Sequence, residues 1–164
     1  PAQEGYDKAA AAILSAAPQG EVVVLCEGDP FFYGSFMYLF ARLAQTTDVS
    51  VVPGVTSLTA CAAAARRPLS ARSEPVQVLP ATLPDQELAS AFARPGALAI
   101  PKLGRHLTRI RDLLASAGRA EAASYVAHAS LPNEVTLPLA KAPATAPYFS
   151  MILVPGEDAY ASPA

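Results

Sequence analysis

The residues best suited to chemistry lie in the run Glu27-Gly28-Asp29-Pro30, where carboxylates flank a glycine and a proline follows. Gly28 lets the backbone approach a ligand closely or take a positive φ, and Pro30 sets the next turn and removes a donor. Negative side chains beside exposed backbone repel a phosphate, so this loop suits a cationic or hydroxyl-bearing ligand. Taken alone, the loop is better explained by a plainer role, with Asp29 capping the next helix and Gly-Asp-Pro acting as a turn. A second loop, Pro53-Gly54 followed by Thr56 and Ser57, leads into a run of small residues. That order creates a helix N-terminus whose free N–H groups can be approached closely. A third, Lys102-Leu103-Gly104-Arg105-His106, gathers basic side chains. Arg and Lys suit carboxylates, and Arg can hold one through two bonds. Basic groups opening a helix oppose its dipole, which argues that they serve a ligand; the alternative is a solvated helix start.

An alternation of strands and helices must position these loops. Val22, Val23, Val24, Leu25 and Cys26 form an apolar, β-branched run of strand length, expected to be buried and central in its domain. Phe36, Leu39, Phe40 and Leu43 then fall at helical spacing, so the chain reads strand, loop, amphipathic helix. In a parallel α/β sheet that loop lies at the carboxyl end of a strand, where ligands bind. Residues 49–52 are a second buried-strand candidate, and Tyr6, Ala9, Ala10 and Ile13 form the stripe of an earlier helix ending before Pro18. The second half repeats the rhythm, with strands expected at 76–79, 97–100, 124–127, 135–137 and 148–154 and helices at 85–92 and 105–117. Gly118 closes the last helix, and residues 138–147 are too rich in proline for regular structure. Helices thin out toward the end, which predicts a mixed sheet with antiparallel members. The charged, proline-bounded connection 66–75 marks a domain boundary. Its arginines either form a solvated linker or meet substrate carboxylates.

A chain of 164 residues, 52% hydrophobic, makes one ordinary domain or two small ones with a real core. A net charge of −2 gives no reason to expect nucleic acid or a membrane surface as partner, and no apolar run reaches spanning length. Cys26 and Cys61 read as reduced core thiols of a cytoplasmic protein. No metal site is expected, since His106 and His128 stand far from both cysteines without ligand spacing.

The ordered pair EGDPFFYGSFMYLF and VVPGVTSLTACAAA, with the later APYFSMILVPG, resembles the S-adenosylmethionine-dependent tetrapyrrole methyltransferases from about residue 21 to 156. The resemblance implies an α/β, tetrapyrrole methylase-like fold of two α/β domains with a cleft between them. Residues 1–72 would be part of the N-terminal domain and 73–164 the C-terminal domain. It also implies an earlier strand and a Gly-rich loop, so the N-terminal domain is expected to be incomplete here. S-adenosylmethionine would lie against Glu27, Gly28, Asp29, Phe32, Thr56, Ser57, Leu103, Ala129, Ser150 and Met151. The family often has glycine where this chain has Ala129. A tetrapyrrole carrying carboxylates would meet Tyr33, Lys102, Arg105 and His106. The proton acceptor is not assigned, with Glu27, Asp29 and Tyr33 as candidates. A homodimer is expected, the ring position methylated is open, and a non-catalytic α/β binding module is the alternative from another class.

Overall fold

The computed structural model describes residues 2–157. The chain divides into two compact units between Ser57 and Leu58.

In the first unit, α1 (Ala2–Ala16) ends in a 3-10 turn, Ala17–Gln19, and α2 is Phe36–Leu43. The stripe expected on α1 forms, with Ala10 buried and Tyr6, Ala9 and Ile13 half-buried. Tyr6 packs on Tyr38 of α2 with ring centroids 5.0 Å apart. Arg42 of α2 reaches back to α1, donating to Asp7 at 2.6 Å and Gln3 at 2.8 Å while lying over the Tyr6 ring. Phe31 adds an edge-on contact to Phe40 at 5.0 Å, so aromatic side chains tie the loop before α2 to that helix.

The expected strands at 22–26 and 49–52 do not form. Both segments are irregular and, among the described residues, neither joins a ladder. Val23 is 72% exposed and Leu25 91%. Apolar β-branched runs encode burial, but a strand exists only when a neighbour takes up its N–H and C=O groups, and here none does. Cys26 is accordingly exposed rather than a core thiol, whereas Cys61 is buried.

The second unit contains a five-stranded mixed sheet in the order β1-β2-β5-β3-β4. Its strands are β1 (Val76–Val78), β2 (Ala97–Pro101), β3 (Ser124–Ala127), β4 (Val135–Pro138) and β5 (Ser150–Val154). β1 and β2 run parallel; β5 lies antiparallel between β2 and β3, and β4 antiparallel to β3. The helices are α3 (Ser57–Ala64), α4 (Asp85–Phe92) and α5 (Leu107–Ser116). The strand period of two sorts the side chains between two cores. Leu98, Ile100, Tyr125, Ile152 and Val154 join Leu88 and Phe92 of α4 and Leu107, Ile110 and Leu114 of α5. Ala99, Val126, Met151 and Leu153 pack instead with Cys61 of α3. Both faces are thus covered, which is why β2, and β3 and β5 after their opening serines, read as apolar runs.

Arginines clamp the turns of this unit. Arg119 donates to Gly96 O at 2.6 Å and Arg94 O at 3.2 Å, and burial lowers the pKa of its guanidinium. Arg109 bonds Asp85 and the carbonyls of Ala81 and Leu83. The connection 66–75 belongs to the same unit. Arg67 donates to Ala122 O at 2.9 Å, and the Gly156 N–H donates to Leu69 O at 3.0 Å. The first bond gives Arg67 a structural role that a solvated linker would lack, and the second ties the connection to the end of β5.

Candidate cofactor and substrate site

The loop pair in the first unit is built on close backbone approach. Gly28 has φ +74°, and a Cβ on Gly54 would stand 2.3 Å from Gly28 O, so the two loops touch where only hydrogen fits. Asp29 locks them together. Its Oδ1 accepts the Phe31 N–H at 2.9 Å and its Oδ2 accepts the Gly54 N–H at 3.0 Å. Those bonds, Gly54 first, hold its carboxyl below the ordinary value of 3.8. Asp29 therefore does not cap α2, whose N-cap residue is Ser35. It is also a poor proton acceptor, being ionised and already bonded to backbone amides. Glu27 stays exposed beside Gly28, which leaves it as the carboxylate open to a cation. Phe32 is half-buried and meets Tyr33 edge-on at 5.1 Å, and Tyr33 is exposed with φ +56°. Thr56 is half-buried and Ser57, the first residue of α3, is exposed. The residues expected at 27–33 and 56–57 thus lie along two adjoining loops, which meet at Gly28 and at Gly54 of the Pro53-Gly54 pair.

The rest of the expected set meets at one end of the second unit's sheet. Register pairs Pro101 with Met151 and Ala127 with Ser150, so the ends of β2 and β3 adjoin the start of β5. Leu103, Ala129, Ser150 and Met151 are gathered there. The His128 N–H donates to Phe149 O at 2.8 Å, the Ala146 N–H to Gly104 O at 3.1 Å, and the Ser150 hydroxyl to Pro147 O at 2.6 Å. Lys102, His128 and Ser130 all take positive φ, at +60°, +53° and +65°. Such residues cost about 1–3 kcal/mol each and gather where a fold holds ligand-binding backbone.

Burial refines the roles. Leu103 is 0% and Met151 1% exposed, so their side chains belong to the cores and they can meet a ligand only through backbone. Lys102 and Arg105 are exposed and His106 is half-buried, its N–H donating to Leu103 O at 2.7 Å. Arg105 and His106 sit on a 3-10 turn, Gly104–His106, ahead of α5 rather than in the helix. The Tyr148–Phe149 pair, 86% and 50% exposed and edge-on at 5.2 Å, lies at this same end and is not among the expected site residues. Its signal is two aromatics just before an apolar strand. Among the described residues, no cluster of three or more His, Cys, Asp or Glu can hold a metal ion, and no helix is long and apolar enough to cross a membrane.

The mixed α/β sheet and its loop cluster define a class, and the comparisons agree with it. The chain belongs to the tetrapyrrole (corrin/porphyrin) methylases, whose family model matches residues 1–143. Among curated proteins it is 42% identical over 153 residues to a precorrin-2 C(20)-methyltransferase of Sinorhizobium sp, a match covering 92% of this chain and 62% of that one. The chain therefore spans less than two thirds of that relative. Among solved structures, the methyltransferase CobJ superposes with a TM-score of 0.71 at 22% identity, covering 93% of this chain and 71% of that one. Uroporphyrin-III C-methyl transferase from Thermus thermophilus, complexed with S-adenyl homocysteine, matches with a TM-score of 0.64 at 28% identity, covering 92% of this chain and 73% of that one.

Proposed function

We propose that the protein transfers a methyl group from S-adenosylmethionine to carbon 20 of precorrin-2, a step of cobalamin biosynthesis. The observation that carries this reading is the 42% identity to a precorrin-2 C(20)-methyltransferase, which extends over 92% of the chain. The stretches FYGSFMYLF and APYFSMILVPG support the same ring position.

S-adenosylmethionine, when bound, supplies an activated methyl group on a sulfonium cation. The residues present fit such a ligand. The exposed Glu27 carboxylate suits a cation, the exposed backbone of Gly28 carries no side chain to hinder a ligand, and Thr56 and Ser57 supply hydroxyls for ribose or carboxylate groups. Phe32 offers an apolar wall, while Leu103, Ala129, Ser150 and Met151 offer backbone groups at the sheet end. Lys102, Arg105 and His106 match the carboxylates around a precorrin, with Tyr33 beside the cofactor loop. Methyl transfer to an electron-rich ring carbon needs no protein nucleophile, so the protein's contribution is alignment and removal of the ring proton. With Asp29 committed to backbone amides, Glu27 and Tyr33 remain as proton acceptors in this proposal. The proposal includes a division of the intact enzyme into domains at about residue 72. It also includes a cytoplasmic homodimer, in which a second copy buries apolar surface such as Val23, Leu25 and Val52.

Incubating the full-length protein with precorrin-2 and S-adenosylmethionine should yield a product carrying one further methyl group, at carbon 20 by NMR. A methyl group at another ring carbon would reassign the substrate position. No methylated product would leave a binding module.

A further inference from the structure

Residues 128–134, between β3 and β4, hold Ala129 between two non-glycine residues with positive φ, His128 and Ser130. Left-handed backbone is unfavourable for L side chains and persists only where neighbouring groups enforce it. Backbone bonds supply part of the enforcement. The His128 N–H donates to Phe149 O at 2.8 Å, the Leu131 N–H to His128 O at 2.9 Å, and the Glu134 N–H to Leu131 O at 3.0 Å. None of these holds Ser130. Its N–H donates to the Glu134 side chain, at Oε2, at 2.7 Å. Ala129 packs inward on the cluster of Cys61, Val126 and Met151, so the peptide groups around it are what the turn has left to offer a ligand.

We propose that Glu134 is a positioning residue for cofactor binding. Its carboxylate fixes the Ser130 amide and thereby the orientation of the peptide group between Ala129 and Ser130, while the bond from Leu131 N–H to His128 O holds the peptide on the other side. This rests on the cofactor reading given above. Glu134 itself is exposed and lies at the far end of the turn, so it acts through Ser130 and not by contact with the cofactor. A charge-assisted bond to an amide is stronger than a neutral one, which suits a turn that has to be held against its own backbone preference.

The test is calorimetric binding of S-adenosylhomocysteine to the full-length protein and to Glu134→Gln and Glu134→Ala, with amide exchange at Ser130 and thermal unfolding read on each. Glu134→Gln keeps a carbonyl oxygen that can accept the same N–H, so its affinity should stay within about 2-fold to 3-fold of the parent. Glu134→Ala should bind about 10-fold more weakly, exchange the Ser130 amide faster and melt at nearly the parent temperature. In turnover it should raise KM for S-adenosylmethionine and leave kcat nearly unchanged. Parent-like affinity in Glu134→Ala would overturn the inference, as would equal losses in both variants, which would implicate charge instead of the amide bond. Failure of the parent protein to bind would overturn the cofactor reading itself, and this inference with it.

Discussion

Replacing Gly54 by alanine drives a methyl group into backbone. The added carbon would stand 2.3 Å from Gly28 O, 2.9 Å from Gly28 C and 3.2 Å from Asp29 Cα. Relaxed non-bonded contacts lie near 3.5 Å, so the loops must part by roughly 1 Å. The Gly54 N–H to Asp29 bond, already 3.0 Å long, does not survive such a separation. Gly54 does not adopt a left-handed φ, so the penalty is steric alone. Overpacking of this kind costs about 1–3 kcal/mol, with the lower end appropriate because both loops are solvent-exposed and can shift. Binding should suffer more than stability, since a misplacement of about 1 Å can weaken a productive geometry by as much as 100-fold. Calorimetry with S-adenosylhomocysteine should show at least a 10-fold loss for Gly54→Ala, on the order set by that misplacement. Gly5→Ala is the matched control. It sits inside α1 with nothing within 4 Å of the new carbon, and should stabilise by about 0.5–1 kcal/mol without touching affinity. A Gly54→Ala protein that folds, by circular dichroism, and binds like the parent would refute the argument that these loops meet to form the site.

Three other outcomes follow from the same structure. Because Asp29 has a lowered folded pKa, its stabilisation is complete above its ordinary value of 3.8 and disappears as pH falls through the folded value. The gap in unfolding temperature between the parent and Asp29→Asn should therefore hold at neutral pH and close only under more acidic conditions; a gap that widens on acidification contradicts this. Cys61, its thiol pushed up to about 11 by burial and by the nearby Glu134 charge, should resist a maleimide at pH 8 while exposed Cys26 reacts, giving one label by mass spectrometry and two after denaturation. Arg105→Ala should raise KM for the tetrapyrrole by about 10-fold to 100-fold and leave cofactor affinity nearly unchanged, since a charge-assisted bond contributes roughly 1.5–3 kcal/mol; loss of cofactor binding instead would remove Arg105 from the substrate wall.

How much was legible in the sequence depends on where each residue finds its partner. Strands β2, β3 and β5 were readable because burial on both faces makes a run such as Ala97-Leu98-Ala99-Ile100 uniformly apolar. α2 and α5 were readable from spacing, since Phe36 and Leu43, or Leu107, Ile110 and Leu114, share one face. Residues 22–26 carry the same kind of signal and form no strand, because apolar composition states a need for a neighbour and cannot supply one. Residue type pointed to loops that the structure brings together, but not to the job of every side chain in them. Leu103 and Met151 sit there as core side chains, and Asp29 serves backbone amides more than any ligand. Glu134 was not singled out because its partner is the main-chain N–H of Ser130, and a main-chain donor leaves no mark on composition.

The place of β5 in the sheet bears on how the protein is made. It is the latest of the five strands in the chain, yet it lies in the middle, between β2 and β3. Before Ser150–Val154 is in place, β1 with β2 and β3 with β4 can form only two separate pairs, each with an apolar edge that lacks its neighbour. Domains form as units, and contacts between distant parts of a chain form slowly. Commitment of the second unit must then wait for Ser150–Val154 to emerge and close the gap. Until that moment the edges of β2 and β3 lack their neighbour, and this is the interval in which the unit is most prone to misassociate.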